Sequence, residues 1–156
     1  MMATAQHAAL NIEQLPSAKG LRIIIVVADW NASITDGLYN GALEVLRQKG
    51  CTAIERIAVP GSFELVFGCA KAAKSTPDAI IALGSVIRGE TAHFDYVCQA
   101  VAHGIKDLNI LGSVPVIFGV LTDDTREQAE ARSGGSLGNK GAEAAAAAIQ
   151  MAQLSI

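Results

Sequence analysis

Charge is what this sequence has least of. Only 17% of its 156 residues are Asp, Glu, Lys or Arg, against 51% from the apolar set AVILMFWYC, and mean hydropathy is +0.34. Disordered chains are poor in apolar residues and rich in charge, so disorder is excluded over most of the length. A basic excess is also missing. Twelve Lys and Arg stand against 15 Asp and Glu, for a net charge of −3. That argues against a nucleic-acid partner, which normally meets a basic patch; an anionic small substrate needs only local positive charge. Long apolar runs are absent. Residues 21–28, 79–83 and 114–121 have strand length, short of the ~20 residues of a membrane-spanning helix. No basic region followed by a long apolar run opens the chain, so no secretory signal is read. The three cysteines (Cys51, Cys69, Cys98) are odd in number and lack C-x-x-C spacing. Neither a disulfide framework nor a metal site is expected, and a reducing cytoplasm is the expected location. Aromatics make up only 4%. So apolar a chain without a membrane segment implies a surface covered in part by partners.

What is present reads as one domain. Residues 1–18 show no clear period and form an expected N-terminal arm, free to add a strand to a neighbouring subunit; residues 19–156 form the domain. Residues 21–28 (L-R-I-I-I-V-V-A) are a β-branched run typical of a strand buried on both faces. Ser33 is a candidate N-cap for a helix carrying Ile34, Leu38, Ala42, Val45 and Leu46, stopped by Gly50. Strands are expected at 53–59, 79–85 and 114–121, with helices at about 63–74 and 92–107. Thr122, Asp123 and Asp124 offer caps for a helix ending near Arg132. Residues 133–138 read as a loop, and Asn139 caps a last, alanine-rich helix over 140–153. Strand followed by helix, four times, with crossovers of 12 or more residues, implies parallel pairing. The expected fold is a three-layer α/β/α sandwich, flavodoxin-like, with a four-stranded parallel sheet and no internal repeat. Ligands bind such sheets beyond the carboxyl ends of the strands. That rule selects four loops: 29–32, 60–63, 86–91 and 122–124.

These loops carry few but telling groups. In V-I-R-G-E-T-A-H (86–93), Gly89 permits a tight turn, and backbone N–H groups at the following helix start suit an anion such as phosphate. Thr91 either adds a hydroxyl or caps the helix. His93 in the first turn is either a proton shuttle or a surface residue. In P-G-S-F-E (60–64), Gly61 lets backbone approach a ligand, and Glu64 serves either the helix dipole or a ligand's hydroxyls. Trp30, the single tryptophan, either stacks on a flat heterocycle or plugs the sheet edge. Arg126 reads as a solvated helix residue. Arg132 and Lys140 flank the Gly-rich segment, either as a dipole partner and a solvated lysine or as a phosphate clamp. G-x-G-x-x-G, a Walker lysine, G-x-S-x-G and H-E-x-x-H are all absent.

Taken together the loops resemble one family. The stretches that carry the resemblance are Trp30-Asn31, V-P-G-S-F-E (59–64), A-L-G-S-V-I-R-G-E-T-A-H-F-D-Y-V (82–97), F-G-V-L-T (118–122), E-Q-A-E-A-R (127–132) and G-N-K-G-A-E-A-A (138–145). They resemble the 6,7-dimethyl-8-ribityllumazine synthases, over about residues 20–154. The resemblance implies a transferase of riboflavin biosynthesis. It condenses 5-amino-6-(D-ribitylamino)uracil with 3,4-dihydroxy-2-butanone 4-phosphate, with neither metal nor organic cofactor. It further implies roles. Trp30, Asn31, Ser62, Phe63, Glu64, Ser85, Val86, Ile87 and Phe118 would hold the ribitylaminouracil. Glu90, Thr91, Arg132 and Lys140 would hold the butanone phosphate. His93 would move protons, and Phe118 and Arg132 would come from the adjacent subunit. Partners implied are the two small molecules and further copies of the chain, in a pentamer, a decamer or an icosahedral 60-subunit shell, with riboflavin synthase as a candidate associate; no nucleic acid or membrane is expected. The sequence departs from many relatives after Arg132, where Ser133-Gly134-Gly135-Ser136-Leu137 replaces Ala-Gly-Thr-Lys, and Glu90 puts a carboxylate in the phosphate turn. Two other readings on the same scaffold are a non-catalytic flavin- or lumazine-binding or shell-forming protein, and a riboflavin synthase of pentameric type.

Overall fold

The computed structural model describes residues 10–156; the expectation for the first half of the arm, residues 1–9, lies outside the described residues. Four parallel strands form the sheet: β1 (Arg22–Ala28), β2 (Ala53–Val59), β3 (Ala79–Ile87) and β4 (Val116–Asp123), in spatial order β2-β1-β3-β4. Five helices cover it: α1 (Ala32–Gln48), α2 (Leu65–Ala73), α3 (His93–Leu111), α4 (Arg126–Arg132) and α5 (Lys140–Ala152). This is the three-layer α/β/α arrangement that the alternation of elements implies.

The layers follow from the period of two along each strand. Ile23, Ile25 and Val27 of β1, with Ile81 and Leu83 of β3, pack under α1 and α5. Ile24, Val26 and Ala28, with Ile80 and Ala82, pack under α2 and α3. The central strands β1 and β3 are therefore apolar at nearly every position, while the edge strand β2 is largely exposed and carries Glu55 and Arg56. Such charges protect an edge from pairing with stray strands. Chain order runs outward from β1 to β2 on one side and from β3 to β4 on the other. The topological switch point therefore falls between β1 and β3.

Several boundaries differ from the sequence expectations. The cap of α1 is Asn31, in left-handed backbone (φ 60°), not Ser33, whose Oγ instead accepts from Arg126 Nη2 at 2.6 Å. Arg126 lies half exposed on its helix as expected, and there it also ties α4 to the start of α1 and donates through Nε to Glu130. β4 continues through Thr122 and Asp123, and Thr125 caps α4 in a reciprocal box with Gln128. α3 continues past Asp107 to Leu111 because Leu108 still packs on the core. The Gly-rich segment is not wholly a loop: β5 (Ser133–Gly135) and β6 (Gly138–Asn139) form a small antiparallel pair. Part of the arm belongs to the domain's own core, with Leu15 and Ala18 buried beside α1 and α5. Among the described residues no helix is long and apolar enough to cross a membrane.

Candidate active site

The loops after β1 and β2 are tied together before any ligand is considered. Asp29 N–H donates to the Val59 carbonyl (2.8 Å) and Trp30 N–H to the Pro60 carbonyl (2.9 Å), extending the ladder past both strands. Asn31 then takes left-handed backbone, which Asn tolerates better than most residues. Its side chain does not cap α1; Nδ2 donates instead to the Ser85 carbonyl at 2.9 Å and ties the β1 loop to the end of β3. The Trp30 ring lies directly over Gly61. A Cβ on residue 61 would stand 2.5 Å from Trp30 Cε3 and 2.7 Å from Cζ3. Glycine is required there by that ring and not by backbone strain, since Gly61 is extended (φ −132°). Trp30 is 67% exposed, so within one chain it is no plug.

Residues Ser62–Glu64 form one 3-10 turn ahead of α2, rather than the start of the helix itself. Ser62 is buried, pressed on Gly84, where any Cβ would meet Ser62 Oγ at 2.5 Å. Glu64 Oε2 accepts from the Gly61 N–H at 3.0 Å. The carboxylate therefore serves the loop through Oε2, and no hydrogen bond to Oε1 occurs among the described residues. Ser85 Oγ is buried without a hydrogen-bond partner among the described residues. Buried hydroxyls are normally satisfied, so an orphan at a cleft wall calls for a ligand or an ordered water.

These groups converge. Trp30, Asn31, Ser62, Phe63, Glu64, Ser85, Val86, Ile87, His93 and Val97 line one cleft of about 480 Å³ at the switch point. Its size suits a small molecule. Nine of the ten were expected from the sequence. Val97 was missed, although its spacing of four from His93 places it on the same face of α3.

Three expected residues are not in that cleft. Phe118, Arg132 and Lys140 line a second cavity of about 670 Å³, with Arg88, Phe94, Cys98, Asp123, Asp124, Gln128 and Glu143 among its other walls. The first turns of α3 divide the two: His93 and Val97 face the cleft, Phe94 and Cys98 the cavity. Glu90 and Thr91 line neither; both are exposed on the connection between them. Thr91 Oγ1 accepts from His93 N–H at a loose 3.4 Å. Gly89 lies in the loop between β3 and α3 with backbone that is not left-handed, and a Cβ there would meet nothing within 4 Å. Within one copy, nothing packs on the space that a side chain at residue 89 would take.

The cations of the second cavity are unequally engaged. Arg88 Nε donates to Asp124 Oδ1 (2.7 Å), Nη1 to Asp95 (3.3 Å), and its guanidinium lies 4.3 Å from the centre of the Phe94 ring. Lys140 Nζ donates to Glu143 at 2.8 Å. Arg132 Nη1 donates to the Gln128 carbonyl at 3.0 Å and stands 3.8 Å from Asp123 Oδ1. Asp123 is buried, and burial pushes its carboxyl above the usual 3.8, with Arg132 pulling it back and Asp124 pushing it further up.

An open parallel sheet with a cleft at its switch point, lined by a tryptophan, a carboxylate and an imidazole, defines a class: three-layer α/β proteins whose ligands seat beyond the carboxyl ends of the strands. The relatives narrow it. The sequence model of the 6,7-dimethyl-8-ribityllumazine synthases matches residues 20–155. A 6,7-dimethyl-8-ribityllumazine synthase of Christiangramia forsetii is 56% identical, across 90% of this chain and 86% of that one. One of Porphyromonas gingivalis is 51% identical across 98% of both chains, and one of Flavobacterium psychrophilum 50% across 98% and 84%. The chain belongs to the 6,7-dimethyl-8-ribityllumazine synthase family.

Proposed function

We propose that this chain performs its family's condensation at the switch-point cleft, and that a second copy completes each site with Phe118, Arg132 and Lys140. The observation that carries the reading is the division made by α3. Trp30, Ser62, Phe63, Glu64 and residues 85–87 share one cleft with His93, whereas Phe118, Arg132 and Lys140 line another cavity of the same chain, too far round α3 to close on that cleft within one copy. A heterologous, head-to-tail interface repeats such an arrangement around a ring.

The ribitylaminouracil binds with its ring beside Trp30, its edge along the backbone of Ser85, Val86 and Ile87, and its ribityl chain toward Asn31, Ser62, Phe63 and Glu64. Glu64 is already oriented by the Gly61 N–H. The butanone phosphate binds with its phosphate toward the turn of Glu90 and Thr91 and toward Arg132 and Lys140 of the neighbouring copy. The 5-amino group attacks the ketone and water leaves, giving an imine. Removal of a carbon-bound proton expels inorganic phosphate and leaves an enol, which tautomerises. The ribityl-bearing nitrogen then closes the ring with loss of a second water. The sum balances as two waters and one phosphate released, with no external oxidant. His93, at the start of α3 and on the cleft wall, carries the protons. Holding two reactants in register supplies much of the rate, because it replaces a large entropic cost.

The surface supports assembly. Five of the seven aromatic side chains (Trp30, Phe63, Phe67, Tyr96 and Phe118) are exposed, with Ile110 and Leu111. Phe67 at 73% and Leu111 at 86% lie outside the cleft. Interface cores are enriched in aromatics and depleted in charge, which accounts for the charge-poor composition. The assembly is a pentamer or a multiple of it, and three free thiols suit the cytoplasm. The test supplies both substrates to the purified protein. Lumazine absorbance is expected to rise with release of equimolar phosphate. Riboflavin binding without turnover would overturn it and favour a carrier on this scaffold.

A further inference from the structure

Asp123 is the one acidic group of the second cavity that is buried in the sheet. It is the last residue of β4, and its own carbonyl accepts the Arg88 N–H at 3.0 Å. Asp123 Oδ2 is buried with no hydrogen-bond partner among the described residues, and Oδ1 faces Arg132 Nη1 at 3.8 Å. Burying a carboxylate with an unsatisfied oxygen costs stability. The fold does not need it for Arg88, which is already held by Asp124 and Asp95.

The consequence lies at Arg132. Its Nη1 edge is taken by the Gln128 carbonyl and faces Asp123, and no other hydrogen bond from the guanidinium occurs among the described residues. The Nε and Nη2 donors form a planar fork that matches an oxyanion. A long side chain at the end of a seven-residue helix is otherwise free to rotate, and ordering it on binding costs entropy. A rigid carboxylate on one edge reduces that cost and leaves the opposite edge for the ligand.

We propose that Asp123 is a positioning residue: it holds the Arg132 guanidinium by its Nη1 edge so that Nε and Nη2 face the phosphate of the butanone substrate. This rests on the reading of Arg132 as the phosphate ligand. Asp123 touches no reacting atom, so its effect falls on the phosphorylated substrate alone, through Arg132.

The experiment compares native protein, Asp123→Asn, Arg132→Ala and the double variant, each checked for intact assembly. Steady-state kinetics with each substrate are paired with inhibition by inorganic phosphate. Asp123→Asn is expected to raise KM for the phosphorylated substrate and Ki for phosphate together, by about fivefold. KM for the pyrimidine stays unchanged, and the variant adds nothing in the Arg132→Ala background. Asp123→Ser, a smaller replacement, is expected to repeat the pattern should the amide disturb packing. An unchanged KM and Ki in both variants overturns the proposal, as does an effect that persists without Arg132 or that falls equally on the pyrimidine. If Arg132→Ala itself leaves KM for the phosphorylated substrate unchanged, the phosphate assignment fails, and the positioning role fails with it.

Discussion

A single added methyl at residue 61 tests the Trp30 assignment. In Gly61→Ala the new carbon would stand 2.5 and 2.7 Å from two ring carbons and 3.1 Å from Glu64 Oε2. Ordinary carbon contacts lie at about 3.5–4.0 Å, so the ring must retreat by about 1 Å. The backbone at residue 61 is extended and accepts alanine without strain, and within one copy the ring is 67% exposed, not a part of the packed core. The fold is therefore expected to survive while the stacking surface shifts. A displacement of that size costs about 10²-fold where a reactant must be held in place. Expected is a fall of about 10- to 100-fold in kcat/KM for the ribitylaminouracil, with KM for the butanone phosphate unchanged. Because Trp30 is the only tryptophan, its fluorescence reports the displacement directly, through altered emission and quenching by a soluble agent. A displaced ring with unaltered kinetics would refute the stacking role, and an unmoved ring would refute the steric argument.

Other consequences are equally concrete. His93→Ala is expected to lower kcat by about 10²-fold and to keep measurable turnover, since positioning remains; complete loss in an intact assembly would give the imidazole a larger part in the chemistry. Burial pushes the Cys69 thiol up to about 12 and raises Cys51 as well. Both should resist iodoacetamide at mildly alkaline pH in native protein and react once it is denatured, as read by mass spectrometry. Rapid native labelling of Cys69 would show that α2 does not close over it. Asp123 supplies a pH dependence of stability. Its folded carboxyl titrates above the ordinary 3.8, so the folded state holds that proton where the unfolded chain has lost it. Stability from this group is therefore complete below 3.8 and falls as pH rises through the folded value. Asp123→Asn is expected to melt at higher temperature than native protein at neutral pH, with the gap closing in acid. An equal or lower Tm at neutral pH would contradict the burial argument.

The sheet was legible because β1 and β3 are β-branched runs buried on both faces, a pattern that local sequence displays openly. The helix ends were less so. Ser33 looks like a cap, but Asn31 starts α1 and spends its side chain on the Ser85 carbonyl, a partner 54 positions away. Thr122 and Asp123 resemble caps, yet they continue β4 beside Val86 and Ile87. The cleft residues were legible as loop ends at the carboxyl edge and through the family's stretches. The contact that makes Gly61 necessary was not, because it joins two loops across strands. Val97 lay within reach of helical spacing. The orphaned oxygen of Asp123 could be read only from its burial.

The central claim is that each site takes one half from each of two copies. Co-refolding two variants in equal amounts tests it: Trp30→Ala with His93→Ala in one chain, and Arg132→Ala with Lys140→Ala in the other, each nearly inactive alone. With sites shared between neighbours in a ring, about one quarter of the sites in the mixture join two intact halves, and activity should return to about a quarter of native. Activity no greater than the mean of the two separate variants would place the whole site within a single chain and contradict the account.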